Sequence, residues 1–454
     1  MHKVLIANRG EIAARLILAC REHNLLAVAV YATPDADAPY VALADEAYEL
    51  PGDTPTATYL DAAALLAVAT ASGADAVHPG YGFLSEDAGF AEAVGAAGLT
   101  WIGPPAALIA LMGDKWRARE AAAAAGLPVL AGGPVDQLPT QYPIMIKATG
   151  GGGGLGLRRV DRAEDFEAAV AAAGAQAAQA FRANPGLYWE AFLPGARHVE
   201  VQLVSERAMG VRECSVQRRF QKLVEECPAP VDVAALAEQL ARAVGYRSLG
   251  TVEFLWTVDG GPVFLEMNTR LQVEHPVTEL VYGVDLPGLQ LAIAAGQALP
   301  SWEPRGHAIE ARIYAEDPTT GAPAAGRIDH LRWPSGPWIR VDAGVNEGQE
   351  LPTGFDALLA KVIAWGPTRE MARRRLLLAL DRTEIVGTLV TNLAHLRAVV
   401  GSAAFVAGEV DTQTVAVPLA GPSLAEAERA VAACTTTGLV EAATGHNWAR
   451  RAWR

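Results

Sequence analysis

The stretch PIMIKATGGGGGLG, residues 143–156, sets the reading of this chain. PIMIKA at 143–148 is a short apolar run of the kind that makes a buried strand. It leads into five consecutive glycines, Gly150 to Gly154. Such a run is costly to order, because glycine loses more backbone freedom than any other residue. What it offers is a row of amides without side chains, able to close around phosphate oxygens. Lys147, on the strand, can reach a phosphate lying under that loop, and Gly152, Gly153 and Gly154 would form its cover. The pattern GxxxxGK[ST] is absent, so this is not a Walker loop. A flexible linker can carry as many glycines; a lysine on the strand before it argues for a phosphate lid.

Upstream of the lid, strands and helices alternate. KVLIAN at 3–8 reads as a strand, Gly10-Glu11 opens the helical pattern EIAARLILACREH, and LLAVAVYA at 25–32 is a second strand ending near Asp35 and Asp37. A helix over 57–72, a strand at 75–78, the loop PGYGFLSE, a helix over 87–97 and a strand at 99–102 follow. This order predicts a doubly wound parallel sheet. The turn Asn8–Ala13 has one glycine where a dinucleotide fingerprint needs three, so bound NAD or FAD is not expected. A helix over 114–125 ends at Gly126-Leu127-Pro128.

Downstream, strand-like runs at 186–193, 198–204 and 211–216 predict an antiparallel portion. TVEFLW (251–256) and PVFLEMN (262–268) are joined by Asp259-Gly260-Gly261, a hairpin signal. Residues 304–416 look mixed, with strands near 307–315, 337–342 and 360–365 and a helix from about 367. The expected domains are 1–113, 114–303 with a lid subdomain at about 130–200, and 304–416, followed by a tail or linker at 417–454.

Three clusters carry chemistry. Glu253, Glu266 and Asn268 are polar residues inside apolar strands, and Glu266 and Asn268 share a strand face. Burying them requires a cation: magnesium, which prefers oxygen ligands and phosphate, or else arginines. Next, NTRLQVEHP at 268–276 brings Arg270, Gln272 and Glu274 together. A planar anion such as bicarbonate needs a forked donor, a neutral donor and a base, and these are those types. Finally, CSVQRRFQK at 214–222 is a basic segment in a chain of net charge −14, which favours a small anionic substrate over nucleic acid. Lys222 is its sharpest candidate. The chain has only five lysines (Lys3, Lys115, Lys147, Lys222 and Lys361) against 32 arginines, so each lysine draws interest as a compact ammonium.

Composition narrows the class. With 51% hydrophobic and 19% charged residues over 454 positions, the chain is globular and long enough for two or three domains. No apolar run is long enough to span a bilayer, and the first residues lack a signal peptide's parts, so a cytoplasmic location is expected and no membrane partner. Four cysteines without CxxC spacing and nine histidines without HExxH predict no zinc site.

These segments together resemble the biotin carboxylase family of the ATP-grasp superfamily. The matches are NRGEIAAR, HPGYGFLSE, LMGDK, MIKATGGGGGLGLR, RHVEVQ, CSVQRRFQKLVEECPAP, GTVEFLW, EMNTRLQVEHPVTE, GVDL and AIEARIYAEDP, in the family's order over about residues 3–415. The resemblance implies an α/β chain: a pre-ATP-grasp domain, an ATP-grasp domain with a mobile glycine-rich lid, and a mixed α+β C-terminal domain. It implies that Lys115, Lys147, Glu190, Leu193 and His198 bind ATP under the lid, with adenine held largely by backbone at 191–193. Glu253, Glu266 and Asn268 would coordinate Mg2+, with Mn2+ an alternative. Lys222, Arg270, Gln272 and the Val273 amide would hold bicarbonate, Glu274 would be the general base, and Arg312 and Tyr81 would lie at the phosphate and biotin end. The implied reaction makes carboxyphosphate from bicarbonate and ATP, then carboxylates carrier-bound biotin, with Arg270 stabilising the biotin enolate.

The chain departs from the family pattern in places. Leu155 stands where the lid usually has arginine, Ala191 replaces a common lysine, Phe220 replaces a polar residue, and 203–213 is shortened to a trimmed hairpin. Weaker ATP binding than usual is the expectation. No Met-Lys-Met biotin-accepting motif occurs, so a biotin carboxyl carrier protein or domain and a carboxyltransferase component are expected as partners, with a homodimer as the assembly. The alternatives are another ATP-grasp carboxylate ligase and a non-catalytic relic of one. The final acceptor (acetyl-CoA, propionyl-CoA, another acyl-CoA, pyruvate or urea) is not readable.

Overall fold

The computed structural model describes residues 1–150, 157–180, 186–218 and 221–412. The lid residues Gly152, Gly153, Gly154 and Leu155, then Phe220, and the tail 417–454 lie outside the described residues. The chain begins with five parallel strands: β1 (Lys3–Ile6), β2 (Leu26–Ala32), β3 (Glu46–Leu50), β4 (Ala76–His78) and β5 (Thr100–Trp101). Their order is β3-β2-β1-β4-β5, a doubly wound sheet whose direction of winding switches between β1 and β4. The helix Gly10–Glu22 buries Ile12, Ala13, Leu16 and Ile17. The next long helix is Ala62–Ser72, not 57–72: the Pro55 carbonyl takes the Thr58 and Leu60 amides in a turn, and the Asp61 side chain then caps the helix by accepting from the Ala64 amide. β3 (EAYEL) lies at the sheet edge with alternate residues open to solvent, and its polarity hid it from the sequence reading.

β6 (Gly132–Pro134), β7 (Ile144–Ala148), β8 (Arg158–Val160) and β9 (Leu187–Ala191) form a separate antiparallel sheet in the order β6-β9-β7-β8. Phe166 and Ala173, from the helix Phe166–Ala180, pack with Ile144 and Ile146.

The remaining strands are β10 (Arg197–Val204), β11 (Arg207–Arg218), β12 (Gln221–Cys227), β13 (Leu249–Thr257), β14 (Gly261–Asn268), β15 (His307–Tyr314), β16 (Ile328–Arg332), β17 (Ile339–Ala343), β18 (Leu358–Gly366) and β19 (Glu384–Gly387). Eight of them make one antiparallel sheet, β14-β13-β10-β11-β12-β15-β18-β17, while β16 pairs with β19. The eight-stranded sheet is continuous across residue 303, because β12 pairs with β15. The shortened 203–213 segment is a tight hairpin in which Val204 faces Arg207 and Ser205 takes a positive φ of 55°.

The two faces of this sheet differ. On one, Val224, Ile309, Ala311, Ile313, Val362 and Ala364 pack with Leu376 and Leu380 of the helix Arg369–Arg382. On the other, charges stand in register: Glu266, Glu253, Glu200 and Arg212 face one another across β14, β13, β10 and β11. Farther along that face, Glu225 faces Glu310, and Arg312, Lys361 and Asp342 form a second row. A strand alternates its side chains between faces, so a sheet covered on both sides can have one oily face and one ionic face. Burying so many ions is tolerable only with dense pairing. Among the described residues, no helix is long and apolar enough to cross a membrane.

Candidate active site

Lys222 is the hub. Its ammonium lies 2.7 Å from Glu200 Oε2, 3.0 Å from Glu253 Oε1 and 2.7 Å from Glu274 Oε1. Burial alone would lower its pKa, but the surrounding carboxylates outweigh that and hold it well above the usual lysine range. Glu253 is similarly crowded: Asn268 Nδ2 donates to Oε1 at 2.7 Å and Gln272 Nε2 at 2.6 Å, while His198 Nε2 sits 2.6 Å from Oε2. Burial opposes its ionisation; Lys222 and His198 win and pull its carboxyl below the usual range.

Beside this hub, Arg212 is fully buried and satisfied by five acceptors: Glu200, Gln202, Thr251, Gln272 and Thr278. Its Nη2 donates to Gln272 Oε1 at 2.8 Å, so the amide nitrogen of Gln272 is turned toward Glu253. Arg212 and Glu200 are structural partners that the sequence reading missed. Glu200 in RHVEVQLV and Arg212 in RAMGVRECSVQR alternate like residues of any strand with one wet face.

The segment after β14 crosses toward the first domain. The Thr269 amide donates to Glu86 Oε1 at 3.1 Å and Arg270 Nε to Glu86 Oε2 at 2.7 Å, tying it to the loop HPGYGFLSE. Arg270 Nη2 donates to Asn268 Oδ1 at 2.9 Å. Glu274 then stands between two cations: Lys222 on Oε1 and, at 2.8 Å on Oε2, Arg312 Nη2. Burial would raise the Glu274 carboxyl, yet Lys222, Arg312 and Arg212 take it well below the usual range, so it is an anion at neutral pH. The Val273 carbonyl accepts from Lys361 Nζ at 3.0 Å. Lys361 also lies 3.1 Å from Glu11 Oε1, the oxygen that accepts the Tyr81 hydroxyl hydrogen bond. Tyr81 therefore joins the cluster through Lys361 and Glu11, one layer out from Glu274.

The nucleotide candidates form an adjoining group. Lys147 Nζ is 2.6 Å from Glu190 Oε2 across β7 and β9. Lys115 Nζ is 3.2 Å from Glu266 Oε2, and its amide donates to the Thr149 carbonyl just before the glycines at 2.7 Å. Lys115 thus connects the lid strand to the acidic pair. Leu193 is half-buried just past the end of β9. Three of the five lysines, Lys115, Lys147 and Lys222, sit at acids of the proposed ligand-binding residues, Lys361 lies behind Val273, and Lys3 pairs with Glu46 elsewhere.

The residues present fit a divalent cation at Glu253, Glu266 and Asn268. Both carboxyls are anionic, Glu266 being lowered mainly by Lys115 against its burial. They are directly opposed across β13 and β14, and all three donors are hard oxygens. Ammonium groups now neutralise them, Lys115 on Glu266 and Lys222 on Glu253, with His198 Nε2 against the second oxygen of Glu253. A rival grouping of His198, Glu200 and Cys214 lies within 4.8 Å. It is a poor metal site, because Glu200 is already taken by Arg212 and Lys222 and burial pushes the Cys214 thiol well up.

Lys147 on the strand before the glycines, and Lys115 linking the end of that strand to an acidic pair on an antiparallel sheet, mark an ATP-dependent ligase of the ATP-grasp class. Family models match in three consecutive pieces: biotin carboxylase, N-terminal domain, at residues 1–109; carbamoyl-phosphate synthase L chain, ATP binding domain, at 114–302; and biotin carboxylase C-terminal domain at 310–417. The biotin carboxylase of Haemophilus influenzae is 45% identical over 421 residues, covering 87% of this chain and 93% of the relative. The biotin carboxylase of Pseudomonas aeruginosa is 43% identical over 438 residues, covering 90% and 97%. The biotin carboxylase domain dimer of Hydrogenobacter thermophilus 2-oxoglutarate carboxylase, solved with MgADP, ADP and bicarbonate, superposes with a TM-score of 0.87 at 39% identity, covering 90% and 96%. The chain belongs to the biotin carboxylase family.

Proposed function

We propose that this chain uses ATP to activate bicarbonate and carboxylates biotin presented by a carrier protein or domain. The observation that carries this reading is the placement of Glu274, an anion held between Lys222 and Arg312, beside Arg270, Gln272 and the acidic pair of β13 and β14. Lys115, Lys147, Glu190, Leu193 and His198 bind the nucleotide, with Gly152, Gly153 and Gly154 over its phosphates. Glu253, Glu266 and Asn268 would hold a divalent cation, which when bound would neutralise charge on the phosphate oxygens.

Bicarbonate enters among Lys222, Arg270, Gln272 and the Val273 amide. In taking Lys222 and Arg270 as its own counter-ions, it relieves the grip on Glu274, which then becomes basic enough to accept the bicarbonate proton. The bicarbonate oxygen attacks the γ-phosphorus of ATP, releasing ADP and forming carboxyphosphate. Carboxyphosphate breaks into CO2 and phosphate. Phosphate removes the N1 proton of biotin, and the biotin nitrogen forms a bond to the CO2 carbon. Arg270 stabilises the enolate oxygen, while Arg312 holds phosphate and Tyr81 borders the biotin. Carrier and carboxyltransferase partners in the cytoplasm, and a homodimer, belong to this reading.

The test is ADP release and carboxybiotin formation with free biotin. Both should require bicarbonate, and ADP release should rise when biotin is added. ADP release driven by a different carboxylic acid, with none from bicarbonate, overturns the proposal.

A further inference from the structure

Behind Arg312 lies a pair of acids that the reaction above does not use. Glu225 and Glu310 face each other across β12 and β15, and both are completely buried. Arg312 follows Glu310 by two residues on the same face. Its Nη2 is 2.5 Å from Glu225 Oε1 and 2.8 Å from Glu274 Oε2, so one nitrogen bridges both carboxylates. Among the described residues no carboxyl oxygen of Glu225 or Glu310 has a hydrogen-bond partner, and Arg312 Nε has none either; what distinguishes Glu225 is its ion-pair contact with Arg312. Two opposed cross-strand carboxyls lie only about 5 Å apart at Cβ. In a dry interior, like charges that close cannot both persist.

The count of charges around the pair points the same way. Facing it are Arg312, Glu274, Lys222 and Lys361, with the neutral thiol of Cys214 on β11. On the helix His275–Tyr282, which packs against β12 and β15, His275 is pushed well toward its neutral form and Glu279 is held by Arg15 and Arg340. Lys222 is shared by three acids and Lys361 by Glu11 and Asp342. That leaves Arg312 in contact with Glu225 while it shares Glu274 with Lys222, and among the described residues no cation contacts Glu310.

We propose that Glu310 is a neutral carboxylic acid whose proton is shared with the Glu225 carboxylate, and that Glu225 so held is the positioning residue that keeps Arg312 beside Glu274. Burial pushes the Glu310 carboxyl well up and Glu225 to about 7, which places the anion on Glu225 at mildly alkaline pH. The role given to Arg312 rests on the function proposed above; the protonation of the pair does not.

The assignment predicts an asymmetry. An amide resembles a neutral acid but not a carboxylate. At pH 8, Glu310→Gln should lower kcat/KM for free biotin by no more than about threefold. Glu225→Gln should lower it by about tenfold, the effect of losing the Glu225–Arg312 ion pair. Glu310→Leu, which cannot donate to Glu225, should match Glu225→Gln. Infrared difference spectra of the unliganded protein, parent minus Glu310→Gln, should show loss of a protonated-carboxyl C=O band. That spectrum needs no turnover, so it stands even if biotin is not the substrate, and it decides the case if Glu225→Gln does not fold. Loss of a carboxylate band instead, or equal damage from both glutamine variants, overturns the proposal.

Discussion

The five-stranded and eight-stranded sheets both bury charge, and they do opposite things with it. At the end of β2, Asp35 is fully buried and accepts from both Arg9 and Tyr59, and Tyr59 also pairs with Tyr40. Arg9 lies over the Phe355 ring. The cavity beside it holds only about 130 Å3, well short of the several hundred Å3 of a typical ligand pocket. This is the place where a doubly wound sheet would admit a dinucleotide, and here the protein's own guanidinium fills it. On the eight-stranded sheet, Lys222 is divided among three carboxylates and Glu274 between two cations. The first set is a closed pair. The second is an arrangement in which a substrate anion and a metal can replace existing partners without leaving a naked charge.

Lys222→Met tests the open set and should have the largest effect. It removes the shared cation from Glu200, Glu253 and Glu274, so turnover with bicarbonate should fall at least about a hundredfold. Loss of one partner of a buried ion pair also costs about 3 kcal/mol of stability. Steady-state kinetics and denaturant melts check the two. Arg270→Ala should abolish biotin carboxylation with little loss of stability, because that side chain is only partly buried and Glu86, its partner, is a third exposed. A variant that carboxylates biotin at the parent rate breaks the assignment of Arg270.

Arg9→Met tests the closed set. It should cost about 3 kcal/mol by stranding Asp35, while kcat and KM of the folded fraction stay at parent values. If Arg9→Met instead weakened nucleotide binding, the contrast between the two sheets would be lost.

Acid sharpens the contrast further. Glu253, Glu266 and Glu274 have folded-state values below the ordinary 4.5. Their contribution to stability is present above 4.5 and disappears as pH falls from there through the lower folded values. The melting temperature of the parent should therefore drop steeply below about pH 4.5. In Lys222→Met the largest counter-charge on Glu253 and Glu274 is gone, while Lys115 still holds Glu266, so the drop should be shallower. Identical slopes would mean that Glu253 and Glu274 are not held by Lys222.

Much of this was legible in sequence because the signals were local. The strands at 3–8, 25–32 and 143–148 are short, mostly apolar runs, and Glu266 with Asn268 declared a polar face inside LEMN. Lysine scarcity singled out Lys115, Lys147 and Lys222, which lie against Glu266, Glu190 and Glu274. What sequence did not give was pairing. Glu86 meets Arg270, and Arg312 meets Glu225, only because distant strands and loops are brought together. Glu200 and Arg212 look solvent-facing by alternation, and only the cover over the second sheet face makes them buried. Glu225 sits in LVEEC, where both adjacent acids are buried and nothing in the run shows which one meets Arg312 and which meets Arg369.

The smallest expected effect concerns the lid. Leu155 stands where the family pattern has arginine, and one fewer cation near a nucleotide's phosphates weakens their binding. Exposed or partly exposed charge contacts contribute about 0.5–1 kcal/mol, so Leu155→Arg should tighten MgATP binding by about two- to fivefold. The gain should shrink with added salt, as screening requires. Titration of parent and variant with a non-hydrolysable ATP analogue at two salt concentrations measures this. An unchanged Kd would show that the missing lid cation is not what sets nucleotide affinity, and would leave Lys115 and Lys147 as the cations that do.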